Sequence, residues 1–418
     1  MKGSVFVVKR VIIICVILCI LLLGVFSVLA YTEFISKNDY PAKKVTLAYE
    51  DSLIACTAQS AKELLGHEDQ ANKVYSPVNI YLALSMLSEI TGGDTRSEIL
   101  SVLNVENIET VRKHAKEIYE SVREEGERTT SLPAASIWLR NDIQYKPDAL
   151  EALVNDYFAS SFEGVMGDPE FDLQLQSWLN ENTGGLLEEQ AKGLSFDEDT
   201  LIALAASLYF RAEWNDVFSE SSTKTDVFHA VSSDRQAQFM HKGDSGTYYW
   251  DKKFGAVALP LSNGGKMWFI LPNKGVSPES LFESDAILRL TNDPGAWKKQ
   301  KHLIINKAIP KFDVTGENNL VESLQNLGVQ LAFDITKSDF TPLTDFPDIY
   351  VSKAQHDVRV KIDEKGVEAA AYTVIIPVLG STRFPEKSMD FIVDRPFAFV
   401  ITSDDDLPLF AGVVNEVK

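Results

Sequence analysis

The sequence predicts an α+β fold: one large domain preceded by a short N-terminal segment. Helical patterns concentrate in the first half of the chain and strand patterns in the second half. This layout differs from the regular strand–helix alternation that predicts a doubly wound parallel sheet. The sequence contains neither an internal repeat nor a low-complexity linker, which favours a single domain.

The composition is typical of a globular protein. The 418 residues are 45% hydrophobic, which is enough for a sizeable core. The formal net charge of −20 argues against nucleic acid as a partner, because phosphate binding needs a basic surface. Of the three cysteines only Cys56 lies outside the apolar N-terminal run, so the domain has no internal disulfide. Cysteine and histidine do not cluster with the spacing of a zinc site, and we expect neither a metal nor a cofactor.

The first 30 residues predict export. Lys2, Lys9 and Arg10 precede an uncharged run from Val11 to Ala30. Such a run, at ~1.5 Å per helical residue, is about 30 Å long and can cross the apolar core of a bilayer. It is therefore an uncleaved signal anchor or a signal peptide cut after Ala30. Both alternatives export the rest of the chain, either to the extracellular side of the membrane or as a secreted protein.

A polar tether at residues 31–46 leads to the domain, which we place at residues 47–418. Apolar residues recur at helical spacing over 47–65. Ser76 and Pro77 then predict the start of a second helix, with Ser76 as N-cap and Pro77 in the first turn.

The remaining elements follow from the same periodicities. Asp94 or Thr95 is predicted to cap a third, short helix. Further helices are predicted at 108–125, 148–158, 171–179, 278–290 and 317–327. Strands are predicted at 74–75, 134–139, 201–210, 223–230, 247–250, 256–260, 266–271, 302–309, 356–363, 397–402 and 408–414. The segment 201–210 is almost entirely apolar, which is typical of a central strand buried on both faces.

Two short motifs resemble catalytic sites without the residues that such sites require. Gly243-Asp244-Ser245-Gly246 is similar to the nucleophile motif of chymotrypsin-like proteases, but Thr247-Tyr248 follows it in place of Gly-Pro. A triad also needs a histidine base, and no segment resembles that motif. We predict a polar turn between strands here. Gly264-Gly265-Lys266 lacks the spacing of a phosphate-binding loop and predicts a hairpin turn. We therefore predict that the protein is not an enzyme.

Residues 363–373 (DEKGVEAAAYT) interrupt the strand pattern near the C-terminus. With a period of two, one face carries small side chains that could be buried beneath helices: Val367, Ala369, Ala371 and Thr373. The other face could meet solvent: Glu368, Ala370 and Tyr372. The segment can therefore be a loop that later becomes a strand.

Motifs along residues 47–418 resemble those of the serpins, in number and in order. They are residues 72–80 (NKVYSPVNI), 83–86 (ALSM), 92–95 (GGDT), 182–185 (NTGG), 204–214 (LAASLYFRAEW) with Phe218, 309–312 (IPKF), 395–397 (RPF) and 408–415 (PLFAGVVN). The chain is identified as a member of this family. The resemblance implies the serpin fold, with about nine helices, three β-sheets and an exposed reactive-centre loop at about residues 364–390.

The resemblance also implies a mechanism in which the partner is a target serine protease. The protease attacks the reactive-centre loop, and after acylation the first half of the loop inserts into the main sheet as a new central strand. The protein would act as a monomer. The implied hinge residues are Glu364, Gly366, Val367, Glu368, Ala369, Ala370, Ala371 and Thr373. Gly366 would let the chain turn, and the alanines would enter the sheet without a burial penalty. Pro377 cannot donate to a strand ladder, so the end of the new strand is expected to be imperfect.

The reactive bond is implied by counting along the loop. With Glu364 as first loop residue, the family pattern places cleavage between Gly380 and Ser381. Leu379 is the alternative one residue earlier, and both positions suggest an elastase- or subtilisin-like target. Arg383 offers a trypsin-like alternative.

Further implied positions lie where the main sheet would open. Ser76 and His356 match two polar residues of the family there. Asn79 and Ala206 replace the family's serine and asparagine, so we expect a rewired or weaker hydrogen-bond network. Trp214 matches the point at which insertion begins. The alternative function is that of a non-inhibitory serpin with a binding or chaperone-like role.

Overall fold

The computed structural model describes residues 48–367 and 387–417. The predicted anchor or signal at 1–30, the tether at 31–46 and the reactive-centre loop from Glu368 to Glu386 lie outside the described residues. The helices of the described part are α1 (Ala48–Leu65), α2 (Pro77–Ile90), α3 (Gly93–Val102), α4 (Ile108–Val122), α5 (Pro147–Tyr157), α6 (Pro169–Asn182), α7 (Glu188–Ala191), α8 (Ala286–Asn292) and α9 (Leu320–Leu327). None of these helices is both long and apolar enough to cross a bilayer.

Sixteen strands accompany these helices in the described residues. They are β1 (Lys73–Tyr75), β2 (Glu124–Glu125), β3 (Thr129–Arg140), β4 (Ala159–Gly164), β5 (Ile202–Glu213), β6 (Lys224–His229), β7 (Asp234–Trp250), β8 (Phe254–Pro260), β9 (Lys266–Pro272), β10 (Gln300–Pro310), β11 (Phe312–Asn319), β12 (Gln355–Ile362), β13 (Gly366–Val367), β14 (Ser388–Ile392), β15 (Phe397–Thr402) and β16 (Pro408–Val414). The predicted α+β class is confirmed.

The main sheet has seven strands in the order β11-β12-β13-β5-β3-β2, with β4 beside β3. Among the described residues, its central position holds only β13, which is two residues long. Gly366 pairs with Glu213 of β5, and Val367 lies between Ala212 of β5 and Ile362 of β12. Beyond these pairs, β5 and β12 have no described strand between them. In the described part of the chain, the pairing between β5 and β12 is therefore limited to these two residues of β13.

The other two predicted sheets share the long strand β7, so hydrogen bonding runs continuously through nine strands. Their order is β1-β16-β15-β9-β8-β7-β10-β14, with β6 also on β7. β15 and β16 are buried at every residue, as expected for strands covered on both faces. The predicted hairpin turn at 264–265 is confirmed: Gly264 has a φ of +90°, and Leu261 N–H donates to the Gly265 carbonyl.

Helices cover both faces of the main sheet. α2 packs on the core face against β5, and its start is formed as predicted, with the Ser76 hydroxyl accepting from the backbone N–H of Asn79. α6 lies on the opposite face, where Trp178 and its neighbours pack with Ala203 and Ala205 of β5. That face of β5 is therefore covered by a helix, as expected for a central strand.

Four local predictions differ from the structure. The motif at 243–246 is not a turn, because it lies inside β7 and pairs with residues 303–306 of β10. Residues 278–290 form a 3-10 turn at Glu279–Leu281 and only the first part of α8. Residues 317–319 continue β11, so α9 starts later than predicted. The cap of α3 is Gly92, and Thr95 instead accepts a hydrogen bond from the backbone N–H of Asp339.

Candidate functional site

The candidate site lies between β5 and β12, and the hinge residue Gly366 occupies its upper end. Gly366 is buried, and a Cβ built on it would lie 2.2 Å from the carbonyl oxygen of Ala212 and 2.7 Å from Cα of Glu213. Its φ is outside the left-handed region. Glycine is needed here for close approach of two backbones, not for the turn that we expected.

Trp214 anchors the backbone just before the hinge. It is 1% exposed, and its indole N–H donates to the carbonyl of Asp363 at 2.8 Å. Its backbone N–H donates to the Lys365 carbonyl at 2.8 Å, and the N–H of Phe218 donates to the Glu364 carbonyl at 2.9 Å. Three consecutive carbonyls are thus held from the end of β5. The structure places Trp214 at the hinge end of the gap, where insertion was expected to begin.

The Glu364 side chain is fixed next to this anchor. Its carboxylate accepts from the Thr223 hydroxyl at 2.6 Å and from the Lys311 ammonium at 2.9 Å. Burial by itself would raise the pKa of Glu364, but these hydrogen bonds outweigh burial and lower the pKa below its ordinary value. The carboxylate is therefore ionised at neutral pH. Thr223 and Lys311 were missed in the sequence, since nothing in their own segments marks them as partners of the hinge.

The lower end of the gap is held by residues of α2 and β12. The Nε2 atom of His356, which is 5% exposed, accepts from the backbone N–H of Ser76 at 2.9 Å. Burial lowers the pKa of His356 to about 4, so the ring is neutral at physiological pH and can accept this bond. The side-chain N–H of Asn79 donates to the carbonyl of Ala206 at 3.0 Å. α2 thus holds β12 through Ser76 and β5 through Asn79.

The hydrogen-bond network at Asn79 and Ala206 differs from the family pattern, as expected from the sequence. Ala206 has no side chain that can hydrogen-bond, and its backbone carbonyl takes part instead. The Oδ1 atom of Asn79 is buried without a partner among the described residues. A narrow cleft of about 20 Å³ borders Asn79 and separates Leu208 of β5 from Val358 of β12. That volume is enough for about one water molecule. The space between these side chains is therefore small at the level of Asn79.

The loop after α6 crosses the gap on the outer face of the sheet. The Ser207 hydroxyl of β5 donates to the carbonyl of Asn182 at 3.4 Å, and the Arg359 guanidinium of β12 donates to the carbonyl of Leu186 at 3.3 Å. Two bidentate bonds of 2.8 and 2.7 Å to Asp313 orient that guanidinium. The α6 loop is therefore tied to both strands. Sequence reasoning missed Arg359, because its role depends on a loop more than 170 residues away.

The remaining predicted positions are not brought into the described site. Glu368, the three alanines, Thr373 and the alternative reactive-bond residues Leu379, Gly380, Ser381 and Arg383 lie outside the described residues. In the part of the chain that is described, no group of histidine, cysteine, aspartate and glutamate could hold a metal ion.

Comparison with known proteins gives the same fold. A family model described as Serpin (serine protease inhibitor) matches residues 54–417. Serpin-Z1C of Triticum aestivum is 29% identical over 365 residues, which are 82% of this chain and 90% of that protein. The thermophilic serpin tengpin in its native state has a TM-score of 0.79 at 23% identity and covers 90% of this chain and 96% of its own. Human thyroxine-binding globulin has a TM-score of 0.77 at 20% identity and covers 89% of this chain and all of its own.

The two solved structures share the fold at low identity, so they support the architecture alone. The family model covers nearly the whole described domain, and the family is named for protease inhibitors, which are not enzymes. The arrangement of the sheets, the predicted motifs and this match together show that the protein belongs to the serpin family.

Proposed function

We propose that this serpin is a suicide-substrate inhibitor of serine proteases. The cleaved reactive-centre loop would insert between β5 and β12 and trap the protease as an acyl-enzyme. The observation that carries the proposal is the position of Gly366 and Val367, which pair with β5 and β12 as the first two residues of a strand between them. A strand added there would gain ladder bonds on both sides.

The pairing of Val367 defines a register that the loop can follow. Val367 lies opposite Ala212 of β5 and opposite Ile362 of β12. Because both pairings are antiparallel, Thr373, six residues further along, would reach Ala206 on one side and His356 on the other. Two independent registers thus bring the same residue to the lower end of the gap, beside Asn79. This agreement supports insertion as a continuous strand.

The same register assigns faces to the inserted side chains. Val367 is buried in the main core, so Ala369 and Ala371 would also point inward, level with Phe210 and Leu208 of β5. The buried Phe210 and half-buried Leu208 leave space only for small neighbours. Alanine at these positions allows entry without a cavity or a clash.

Glu368 would reach a matching pair of charges on the outer face. In this register it lies between Arg211 of β5 and Lys361 of β12. The Nε atom of Arg211 is buried without a partner among the described residues, and Lys361 is exposed. A carboxylate placed there would satisfy the unpaired guanidinium N–H. The first outward-facing residue to enter would thus be drawn in by charge.

Pro377 would fall at the end of the gap, where its missing N–H costs little. Ten residues beyond Val367, it would lie opposite Ile202, the first residue of β5. On the other side it would lie opposite Ser352, which precedes β12. Residues up to Ile376 could therefore pair before the proline is reached.

We place the reactive bond at Gly380–Ser381 and the target among elastase- or subtilisin-like proteases, with Leu379 and Arg383 as alternatives. The test mixes the full-length chain with pancreatic elastase, subtilisin, chymotrypsin and trypsin. We expect an SDS-stable complex with elastase or subtilisin, and a released C-terminal peptide beginning at Ser381. A peptide beginning at Gly380 would assign the bond to Leu379, and one beginning at Phe384 would assign it to Arg383. Complete cleavage by every protease without a complex would contradict inhibition.

The alternative is a non-inhibitory serpin that binds a ligand or acts as a chaperone. The alternative is supported by the similarity of fold to thyroxine-binding globulin, which was solved in complex with thyroxine. Heating the cleaved protein separates the two. A serpin that inserts its loop becomes more heat-stable on cleavage, and one that does not insert does not.

We further propose that residues 11–30 export the domain, as an anchor or as a cleaved signal. The apolar run after Lys9 and Arg10 supports this. Immunoblotting of membrane, medium and cytosol fractions tests it. Protein found in the cytosol alone would contradict export.

A further inference from the structure

A cavity of about 360 Å³ lies where the ends of three strands meet, and its size is within the range of pockets that bind small molecules. Its wall is formed by the loop after β9, the residues before β15 and Asn415 after β16. Five apolar residues contribute to this wall: Val231, Pro272, Val276, Pro278 and Pro396. The cavity can therefore hold a short apolar body, and its specificity depends on its few polar groups.

Glu279 is the unusual polar residue of this wall. It is 3% exposed, and its Oε1 atom accepts from the side-chain N–H of Asn415 at 2.7 Å. The amide of Asn415 is held in turn by a bond of 2.8 Å to the carbonyl of Ala71. The other oxygen of Glu279, Oε2, has no hydrogen-bond partner among the described residues and is not one of the atoms closed off from solvent. One oxygen is therefore fixed, and the other is available to a ligand.

Glu279 also lacks a cationic partner. The carboxylates of Glu89 and Glu364 are similarly buried, and they pair with Arg112 and Lys311 respectively. No lysine, arginine or histidine of the described residues forms an ion pair with Glu279. Burial of a carboxylate without such a partner carries a desolvation cost, which an added cation would offset.

The other charged residues of the wall do not compensate this charge. The Arg395 guanidinium is already paired with Asp394 at 3.0 Å. Glu68 is a second carboxylate, and Lys274 is an exposed ammonium; neither forms an ion pair among the described residues. The wall thus carries two carboxylates and one ammonium without ion-pair partners. This excess of one negative charge favours a cation.

We propose that this cavity binds a small organic cation, a primary ammonium on a short apolar body. The ammonium donates to the Oε2 atom of Glu279, and the body packs against the valines and prolines of the wall. A single available oxygen suits a compact ammonium better than a guanidinium, whose planar fork binds two oxygens. The wall includes no residue of β5, β12 or β13, so this binding does not depend on protease inhibition.

Calorimetric titration of the full-length chain with cyclohexylammonium at pH 7 tests the proposal. We expect saturable one-to-one binding, and binding at least about tenfold weaker for the neutral cyclohexanol. Equal affinity for the ammonium and the alcohol would overturn the assignment of a cation. Tighter binding of cyclohexanecarboxylate would overturn it as well. Absence of saturable binding up to ~10 mM would overturn the site.

Two variants of opposite effect locate the binding. Glu279→Gln keeps the size of the side chain and an oxygen that accepts from Asn415, but it removes the charge, so we expect affinity reduced about tenfold. Lys274→Gln removes the exposed ammonium that repels the ligand, and it should raise the affinity about twofold without affecting the fold. Glu283→Gln is the matched control: this carboxylate is exposed, pairs with Lys253 and lies outside the cavity wall.

The control variant should bind cyclohexylammonium as the wild type does. A loss of affinity in Glu283→Gln equal to that in Glu279→Gln would show attraction to the acidic surface in general and would contradict the site. Unchanged affinity in both Glu279→Gln and Lys274→Gln would contradict it too. If Glu279→Gln does not fold, Lys274→Gln alone decides, and an unchanged or weaker affinity in that variant overturns the proposal.

Discussion

Gly366 shows how a single missing side chain positions the hinge. The carbonyl of Ala212 occupies the place where a Cβ of residue 366 would lie. β13 can therefore sit between β5 and β12 only if residue 366 is glycine. The sequence marks this glycine as special, but the backbone that excludes a side chain comes from a strand more than 150 residues earlier.

Gly366→Ala tests this close approach. We expect a loss of about 1–3 kcal/mol of stability, because the added methyl group must push β13 away from β5. We also expect fewer stable protease complexes. Gly295→Ala is the control, since its Cβ would meet only Asp293 at an ordinary 3.5 Å. Thermal unfolding of both variants measures the effect, and equal midpoints would contradict the argument.

Glu364 fixes the same hinge through its charged side chain. Its carboxylate is 7% exposed and bonds to Thr223 and Lys311. Glu364→Gln should lower stability by about 2 kcal/mol, because a charge-assisted pair is replaced by weaker neutral bonds. Glu189→Gln is the matched control, because its bridge to Lys192 is exposed and contributes little. Chemical denaturation compares the variants, and an equal effect in both would contradict the importance of burial.

His356 makes the lower end of the gap sensitive to pH. Its folded pKa of about 4 is lower than its ordinary value of 6.5, so the unfolded chain binds more protons between these values. The stability contribution is complete above about pH 6.5 and falls as the pH drops towards 4. Between pH 7 and pH 5 the expected loss is about 2 kcal/mol.

The test compares the wild type with His356→Gln at pH 7 and pH 5. Between pH 7 and pH 5 we expect the free energy of unfolding to fall more for the wild type than for the variant. At pH 5 Glu364 stays ionised, because its pKa is lowered below its ordinary value. An identical pH dependence of the two proteins would refute the assignment to His356.

Among the elements, β5 and β12 carry the proposed mechanism, and α6 restrains it. A strand entering between them must pass under the loop that Ser207 and Arg359 tie to both sides. Tyr372, the largest side chain in the proposed strand before Thr373, would point towards this loop, level with Ser207. Opening of the α6 loop therefore belongs to the insertion step.

Ala369→Arg tests the inward face of the inserted strand. A charged side chain level with Phe210 would have to be buried without a partner, so insertion should slow and the protein should become a substrate. Ala369→Ser, which remains small, is the control and should keep the complex. Gel assays of the ratio of complex to cleaved protein measure the change. A stable complex with Ala369→Arg would contradict the requirement for a small side chain at this position.

Two elements show the limits of local pattern. The polar motif at 243–246 lies inside β7, because pairing with β10 outweighs the low strand propensity of glycine and aspartate. The apolar spacing at 278–290 matches a helix, yet the chain there forms a 3-10 turn and a short α8. In both cases neighbours distant in sequence decide the conformation.

For the whole molecule, the family and the fold class follow from the chain itself. The order of motifs, the α+β layout and the candidate hinge are all local in sequence, because they depend on periodicity and residue size. Most helices and strands were predicted within a few residues of their observed bounds for the same reason.

Contacts between distant segments could not be predicted in this way. The pairing of β13 with β5 and β12, the Lys311–Glu364 pair and the hydrogen bond from Arg359 to Leu186 each join segments far apart along the chain. Periodicity and propensity describe how a segment folds, but not which segment lies beside it. Register, burial and hydrogen-bond partners depend on three-dimensional packing, and these determine where the sheet opens and what holds it closed.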